Sequence, residues 1–281
     1  MIPRALRFTA VSLAFAAPLS AQHWRTLDAS RQLNDSSSVD VRITYAAGKL
    51  ELRPATGGRT LYSMSLKYDA EHGEPLANWD AAHHAVHLGV KGVKGSWNRR
   101  DAEGSAMRAD LSTVPPIDLS LELGAVTGDL QFGGLRLSRL RLKAGAADVS
   151  ARWDLPNREP MHDLTIDAGA ATLKLVQAGN ANTGRIVANV GVGSLEIDLG
   201  GNWTRDIDMT ANVAMGTLDL RLPNDVGIRV ESNAFMVDFD KAALRKRGNE
   251  WYSENYDAAP RKVRLRLNGA MGNVSITRDT K

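Results

Sequence analysis

Ile117–Phe132 reads IDLSLELGAVTGDLQF. Ile117, Leu119, Leu121 and Leu123 alternate with Asp118, Ser120 and Glu122, Gly124–Gly128 interrupts, and Leu130 and Phe132 resume the alternation. Successive side chains of a strand point to opposite faces, so the stretch predicts a strand, a tight glycine corner and a second strand, each with one buried face. The phrase returns along the chain. Aligned on the first apolar residue after each small-residue corner, the anchors are Leu130, Val149, Leu173, Leu195, Leu218, Val237 and Val274, spaced by 19, 24, 22, 23, 19 and 37 residues. Another alternating segment precedes each corner, as in Leu164/Ile166, Ile207/Met209 and Val263/Leu265/Leu267.

A period of about twenty residues marks a repeat protein in which each unit buries its apolar face against its neighbours. Two all-β architectures produce it. One is a β-solenoid, one coil per repeat; the alternative is an antiparallel β-sandwich of short hairpins. Hairpin turns favour Asn-Gly or Asp-Gly, whereas these corners are Gly-Ala-Ala, Gly-Val-Gly and Ala-Met-Gly. Small residues suit corners that stack on like corners, and the solenoid is the expected fold. Gly124 and Gly128 are then expected to serve close approach between coils. The insertion before the last anchor carries Trp251, Tyr252 and Tyr256, suited to covering the open end of the stack; Lys241–Arg247 is expected to form at most a helical turn or two.

Upstream, Val41/Ile43/Tyr45, Leu50/Leu52, Leu61–Tyr68 and Val86/Leu88/Val90 alternate in the same way, whereas 95–116 loses the pattern and ends in Pro115-Pro116. A proline pair cannot donate to a central ladder and marks a join. The expected organisation is a signal peptide over 1–21, a polar lead-in over Gln22–Val39, a smaller N-terminal β module over 38–115 and the β-repeat domain over 116–279. The signal rests on Arg4 and Arg7, the apolar run Phe8–Ala17 and small residues up to Ala21; that run is too short to span a bilayer.

Removing residues 1–21 takes away Arg4 and Arg7 and no acid, so the formal charge falls from +3 to +1. No basic stripe remains and nucleic acid is not an expected partner. The chain has no cysteine, which excludes disulfides, thiolate metal sites, a cysteine nucleophile and a lipidated cysteine. No later stretch approaches the ~20 apolar residues of a membrane span.

IDLSLELGAVTGDLQF resembles the repeat of the toast-rack β-repeat domains. GNEWYSENYDAAPRKVRLRLNGAMGNVSI resembles their C-terminal signature, also found in bacterial Lia-type envelope-stress regulators, and VRITYAAGKLELRPA resembles the module that precedes such repeats. The resemblance covers roughly residues 38–279. It implies an adhesin-like or envelope-associated protein without a defined activity; the membrane helices of the membrane-bound regulators do not follow this signal.

Three groups of residues carry side chains capable of chemistry. His83, His84 and His87 lie near Asp80, but in a strand His83 and His87 stand about 13 Å apart, too far to share one ion. Acids recur beside the anchors (Asp129, Asp148, Glu196, Asp198, Asp206, Asp208, Asp219, Asp238, Asp240), where stacked carboxylates can hold calcium or cleave a polysaccharide. Arg136, Arg141, Lys143, Lys174, Arg221, Arg229, Arg264 and Arg266 occupy matching outward positions, so a solvated mixed-charge face is the expected reading. Trp153, Trp203 and Trp251 can stack on sugars, yet their places beside turns equally suit packing over a corner. Gly191-Val-Gly193 lacks the rest of a dinucleotide fingerprint, and no nucleophile motif is present. The expected protein is an exported, periplasmic or extracellular, non-enzymatic interaction or scaffold module. It has no catalytic, cofactor or metal residues, and its partner is an envelope protein or glycan. The alternative is a polysaccharide-binding or polysaccharide-cleaving β-helix protein. The motifs name neither a partner nor an oligomeric state.

Overall fold

The computed structural model describes residues 23–92, 103–239 and 244–278, with backbone alone over 234–239. The expected signal peptide, Asp240, Lys241 and residues 93–102, which include the first part of the pattern-poor stretch, lie outside the described residues. Sixteen strands follow in order: β1 (Trp24–Gln32), β2 (Val39–Pro54), β3 (Thr60–Asp69), β4 (Gly73–Asp80), β5 (Ala85–Gly92), β6 (Ala106–Leu111), β7 (Ile117–Gln131), β8 (Leu137–Ala144), β9 (Asp148–Arg152), β10 (Leu164–Val176), β11 (Arg185–Asp198), β12 (Ile207–Leu222), β13 (Val226–Phe239), β14 (Leu244–Arg247), β15 (Glu250–Ser253) and β16 (Arg261–Arg278).

The opening stretch is one bent strand, β7, whose ladder continues through the corner. β2, β10, β11, β12, β13 and β16 bend in the same way, and β8 with β9 supply the two limbs of one coil separately. All these strands pair in parallel, in the order β2-β7-β8/β9-β10-β11-β12-β16-β13. Parallel pairing needs a crossover for every strand, here made by loops such as Trp153–Asp163. That excludes the hairpin sandwich for this region and makes it a β-solenoid.

Alternation makes the core. Val41, Leu119, Leu140, Leu164, Ile186, Met209, Leu265 and Val230 face one another in register from coil to coil, and all are buried. Burying each such side chain is worth about 1.5–3 kcal/mol. At the corner Gly193, Gly216 and Gly272 form a second column. A Cβ on Gly193 would stand 2.1 Å from the Ala171 carbonyl oxygen, and one on Gly272 2.2 Å from that of Gly216. Gly193 also has φ +139°, which side-chain-bearing residues rarely adopt. Beside the corner runs an asparagine ladder. Asn268 Nδ2 donates to Asn212 Oδ1 (2.8 Å), Asn212 Nδ2 to Asn189 Oδ1 (2.6 Å), and Asn189 Nδ2 to Asp167 Oδ1 (2.6 Å).

Four expectations change. Gln22–Val39 is not a loose lead-in, since Trp24–Gln32 forms β1, antiparallel to β3. The last segment does not end the stack; β16 inserts between β12 and β13, and the β15–β14 hairpin covers the outer edge of β13 with Trp251 packed against the core. Leu244–Arg247 is strand rather than helix. Two of the anchors, Leu130 and Val237, also stand out of register with the rest. Val149 pairs with Gly128, and Val274 pairs with Phe239 rather than Val237. Gly128 therefore sits in the inward column, where an added Cβ would meet the Val149 side chain at 3.2 Å, while at Gly124, where the backbones approach closely, an added Cβ would stand 2.2 Å from the Ala46 carbonyl oxygen.

At the N-terminal end β2 pairs with β7 along its whole length. Its other side is shared by β5 on the first limb and β6 on the second. β4 closes the first sheet antiparallel to β5, and β3 and β1 extend the second.

Candidate functional site

The sharing of β2 between β5 and β7 shapes a groove of about 530 Å³ on the outer face of the first sheet. Because Val39, Val41 and Ile43 point into the core, Asp40 and Arg42 point outward. β4 and its turn add Asn78, Asp80 and His83, β5 adds His87, β7 adds Asp118 and Ser120, and β8 adds Arg141.

Half of this lining is engaged. Asp118 accepts from Arg139 (2.8 Å) and Arg141 (3.0 Å). Asp80 closes the β4–β5 turn, accepting the Ala82 and His83 N–H groups (2.9 and 3.2 Å) and meeting His83 Nδ1 at 2.7 Å. That contact holds the Asp80 carboxyl below its ordinary range and raises His83. His87 Nε2 lies 3.0 Å from Thr44 Oγ1. Burial, with the Arg42 charge adding to it and Glu122 opposing, keeps this imidazole below its usual pKa. Asp40, Arg42 and Asn78 make no side-chain hydrogen bond or ion pair to another described residue, and all three are exposed.

The structure brings Asp80, His83 and His87, legible as candidates in the sequence, to one groove with Asp40, Arg42 and Asn78, which no motif singles out. Their ligand atoms do not converge on one point; among the described residues only Asp69, Glu71 and His72 place theirs within 4.8 Å of one another. That trio closes a turn. Asp69 accepts the Glu71 N–H (3.0 Å) and meets His72 Nδ1 (3.1 Å); burial would raise its pKa, but these contacts outweigh it and lower it. His84 packs edge-on against Trp79 at 5.8 Å.

Most of the repeated acids engage neighbouring coils, whereas Asp148 makes no side-chain hydrogen bond or ion pair to a described residue. Glu196 meets Lys174, Asp129 meets Arg152, Asp206 and Asp208 meet Arg264, and Asp219 meets Ser275. Trp153 is 0% exposed and packs against Phe132 with ring centroids 5.0 Å apart and the planes tilted by 44°, so it offers no sugar platform. Trp203 packs against the core with its indole N–H donating to the Leu199 oxygen at 2.5 Å. The asparagine ladder has a sequence signal of its own, an Asn four residues before the corner glycine (Asn189, Asn212, Asn268).

A parallel stack of bent strands defines an all-β solenoid of toast-rack architecture. Residues 21–176 match the family described as the N-terminal domain of toast_rack, DUF2154, and the chain belongs to that family. No curated protein matches the sequence. Among solved structures, the chain is similar to a "putative cell adhesion protein" from Clostridium sporogenes. Identity is 11%, coverage 91% of this chain and 100% of that one, and the TM-score 0.45. It is also similar to a "putative adhesin" from Bacteroides fragilis, with 12% identity, 91% and 98% coverage and a TM-score of 0.46.

Proposed function

We propose that this is an exported, non-enzymatic interaction module of the cell envelope, adhesin-like in use, in which the repeat stack is the scaffold and the β4–β5–β2–β7 groove is the contact surface. One observation carries the reading. Along the stack the asparagine ladder and Arg264 are bonded from coil to coil, whereas the groove gathers three side chains with no bond to a described residue, Asp40, Arg42 and Asn78, in one concavity. Against catalysis in the groove, Asp80 is held low, the wrong direction for the general acid that glycoside cleavage needs.

A photo-crosslinking residue at position 78, and separately at 210 on the regular stack, tests it in cells. The expected result is discrete adducts in the envelope fraction from position 78 and none from 210; equal labelling from both, or none from either, counts against the groove. Deleting residues 1–21 is expected to leave the protein in the cytoplasmic fraction.

A second reading is polysaccharide recognition. It is favoured by the convergence of carboxylates, guanidinium groups, a carboxamide and a hydroxyl in one open groove, a set that hydrogen-bonds adjacent sugar hydroxyls. Co-sedimentation with isolated cell-wall polysaccharide, with reducing ends assayed in the supernatant, separates binding from cleavage.

A further inference from the structure

Val192, Met215 and Met271 are 54%, 56% and 46% exposed, three of the four large apolar side chains left open to solvent among the described residues. They are not scattered. Val192 pairs with Met215, and Met215 with Met271, so they stand in one row along the bend of the stack, and the backbone of Met236 occupies the next rung. The rungs before them carry Ala125, Ala146 and Ala170, so the row changes from small to large along the stack. The glycine column immediately after the row presses each coil onto the last, which fixes the side chains outward on a rigid, convex keel with rungs about 4.8 Å apart.

On one side of the row lie Asn189, Asn212 and Asn268, with Asp167 ending that column, and on the other Ser194, Thr217 and Asn273, with position 238, an Asp, on the next rung. Farther along the strands stand Arg266, which is paired with Glu231, before the row, and Glu196 and Asp219 beyond it. The corner backbone pairs from coil to coil, so an added strand finds no free edge there. Three half-exposed side chains offer on the order of 300 Å², well short of the ~800 Å² per partner of a stable protein interface, so a second copy of this chain is poorly served.

A narrow apolar keel between polar columns, rimmed mostly by acids and with its one nearby arginine already paired, offers nothing to hold an anionic layer and suits one that is apolar inside and carries no net charge at its surface. We infer that Val192, Met215 and Met271 dock the molecule on a neutral, zwitterionic lipid surface, dipping into the acyl boundary without spanning it. An interfacial element reaches about 5–10 Å into that region, within reach of methionine side chains on a ridge. This inference stands independently of the groove, which lies on the outer face of the first sheet.

The test uses residues 22–281, which contain every described residue and omit the apolar run Phe8–Ala17, mixed with phosphatidylcholine vesicles and floated on a density gradient. The wild-type chain is expected to float. Met215→Asp with Met271→Asp is expected to reduce the floated fraction at least tenfold with an unchanged thermal midpoint, and Met215→Leu with Met271→Leu to keep it. Adding phosphatidylglycerol or salt is expected to change little. In a second readout Met215→Trp should be quenched by brominated phosphatidylcholine, which does not depend on how the aspartate variant folds. A wild-type chain that stays at the bottom, an aspartate variant that floats equally, or an unquenched Trp overturns the proposal. So does a concentration-dependent dimer that the aspartate variant abolishes, which would hand the row to a second copy.

Discussion

From β10 onward, Asp167, Asn189, Asn212 and Asn268 bond one another coil to coil, and Arg264 is held by Asp206 and Asp208. On β2 and β4, Asp40, Arg42 and Asn78 face the same outer side of the same sheet and bond no described residue. The register explains the contrast. In the regular stack each strand has a nearly identical strand on either side, so like residues meet in columns and an Asn can serve both neighbours. β2 has a different neighbour on each side, β7 and β5, and its outward residues meet unlike partners across a groove. Repetition lets a column such as the asparagine ladder bond itself; where the repeat is broken, unbonded side chains gather in one groove.

The largest effect is expected at the corner. Gly193→Ala places a Cβ 2.1 Å from the Ala171 oxygen at a φ of +139°. Parting two coils there should destabilise by about 3 kcal/mol or more, read as a large drop in melting temperature or loss of soluble protein. Gly128→Ala is the contrast. Its Cβ meets only the Val149 side chain, so a change within about 1–1.5 kcal/mol is expected. Equal losses at both sites would break the distinction between corner and inward column.

Next comes Asn212→Ala, in the middle of the ladder. It leaves the Asn189 oxygen and the Asn268 amide half-buried without that partner, and a loss of about 1–2 kcal/mol by urea titration is expected. No loss would mean that water replaces the ladder and that the polar columns do not hold the stack.

A smaller effect is set by pH. The folded pKa of His87 lies below the ordinary value of 6.5. The neutral form is the one the fold accepts, so its contribution is complete above 6.5 and is lost as pH falls from there through the folded value. The urea midpoint should therefore fall more between pH 7 and pH 5 in the wild-type chain than in His87→Asn. An identical fall in both would remove His87 from the account.

Ile117–Phe132 and its echoes carried the solenoid, because inward leucines and small corners are visible in any single repeat. What stayed hidden has physical reasons. Gly128 holds an inward position without an apolar side chain, so aligning on apolar residues slipped by two there. Chain order differs from spatial order at β16, which lies between β12 and β13. Trp24–Gln32 is an edge strand with most of its side chains half or fully exposed, and it reads as a polar lead-in. The groove gathers residues from 40–42, 78–87, 118–120 and 141, and no local pattern joins segments that meet only through parallel pairing.

The most direct test of the division between scaffold and contact surface is the thermal melting of the Asp40→Ala, Arg42→Ala double variant. Neither side chain bonds a described residue, so the midpoint should stay within about 1–2 °C of wild type, the size expected of exposed positions without partners. A fall of many degrees would show that these charges hold the stack together as the ladders farther along do, and would contradict the account.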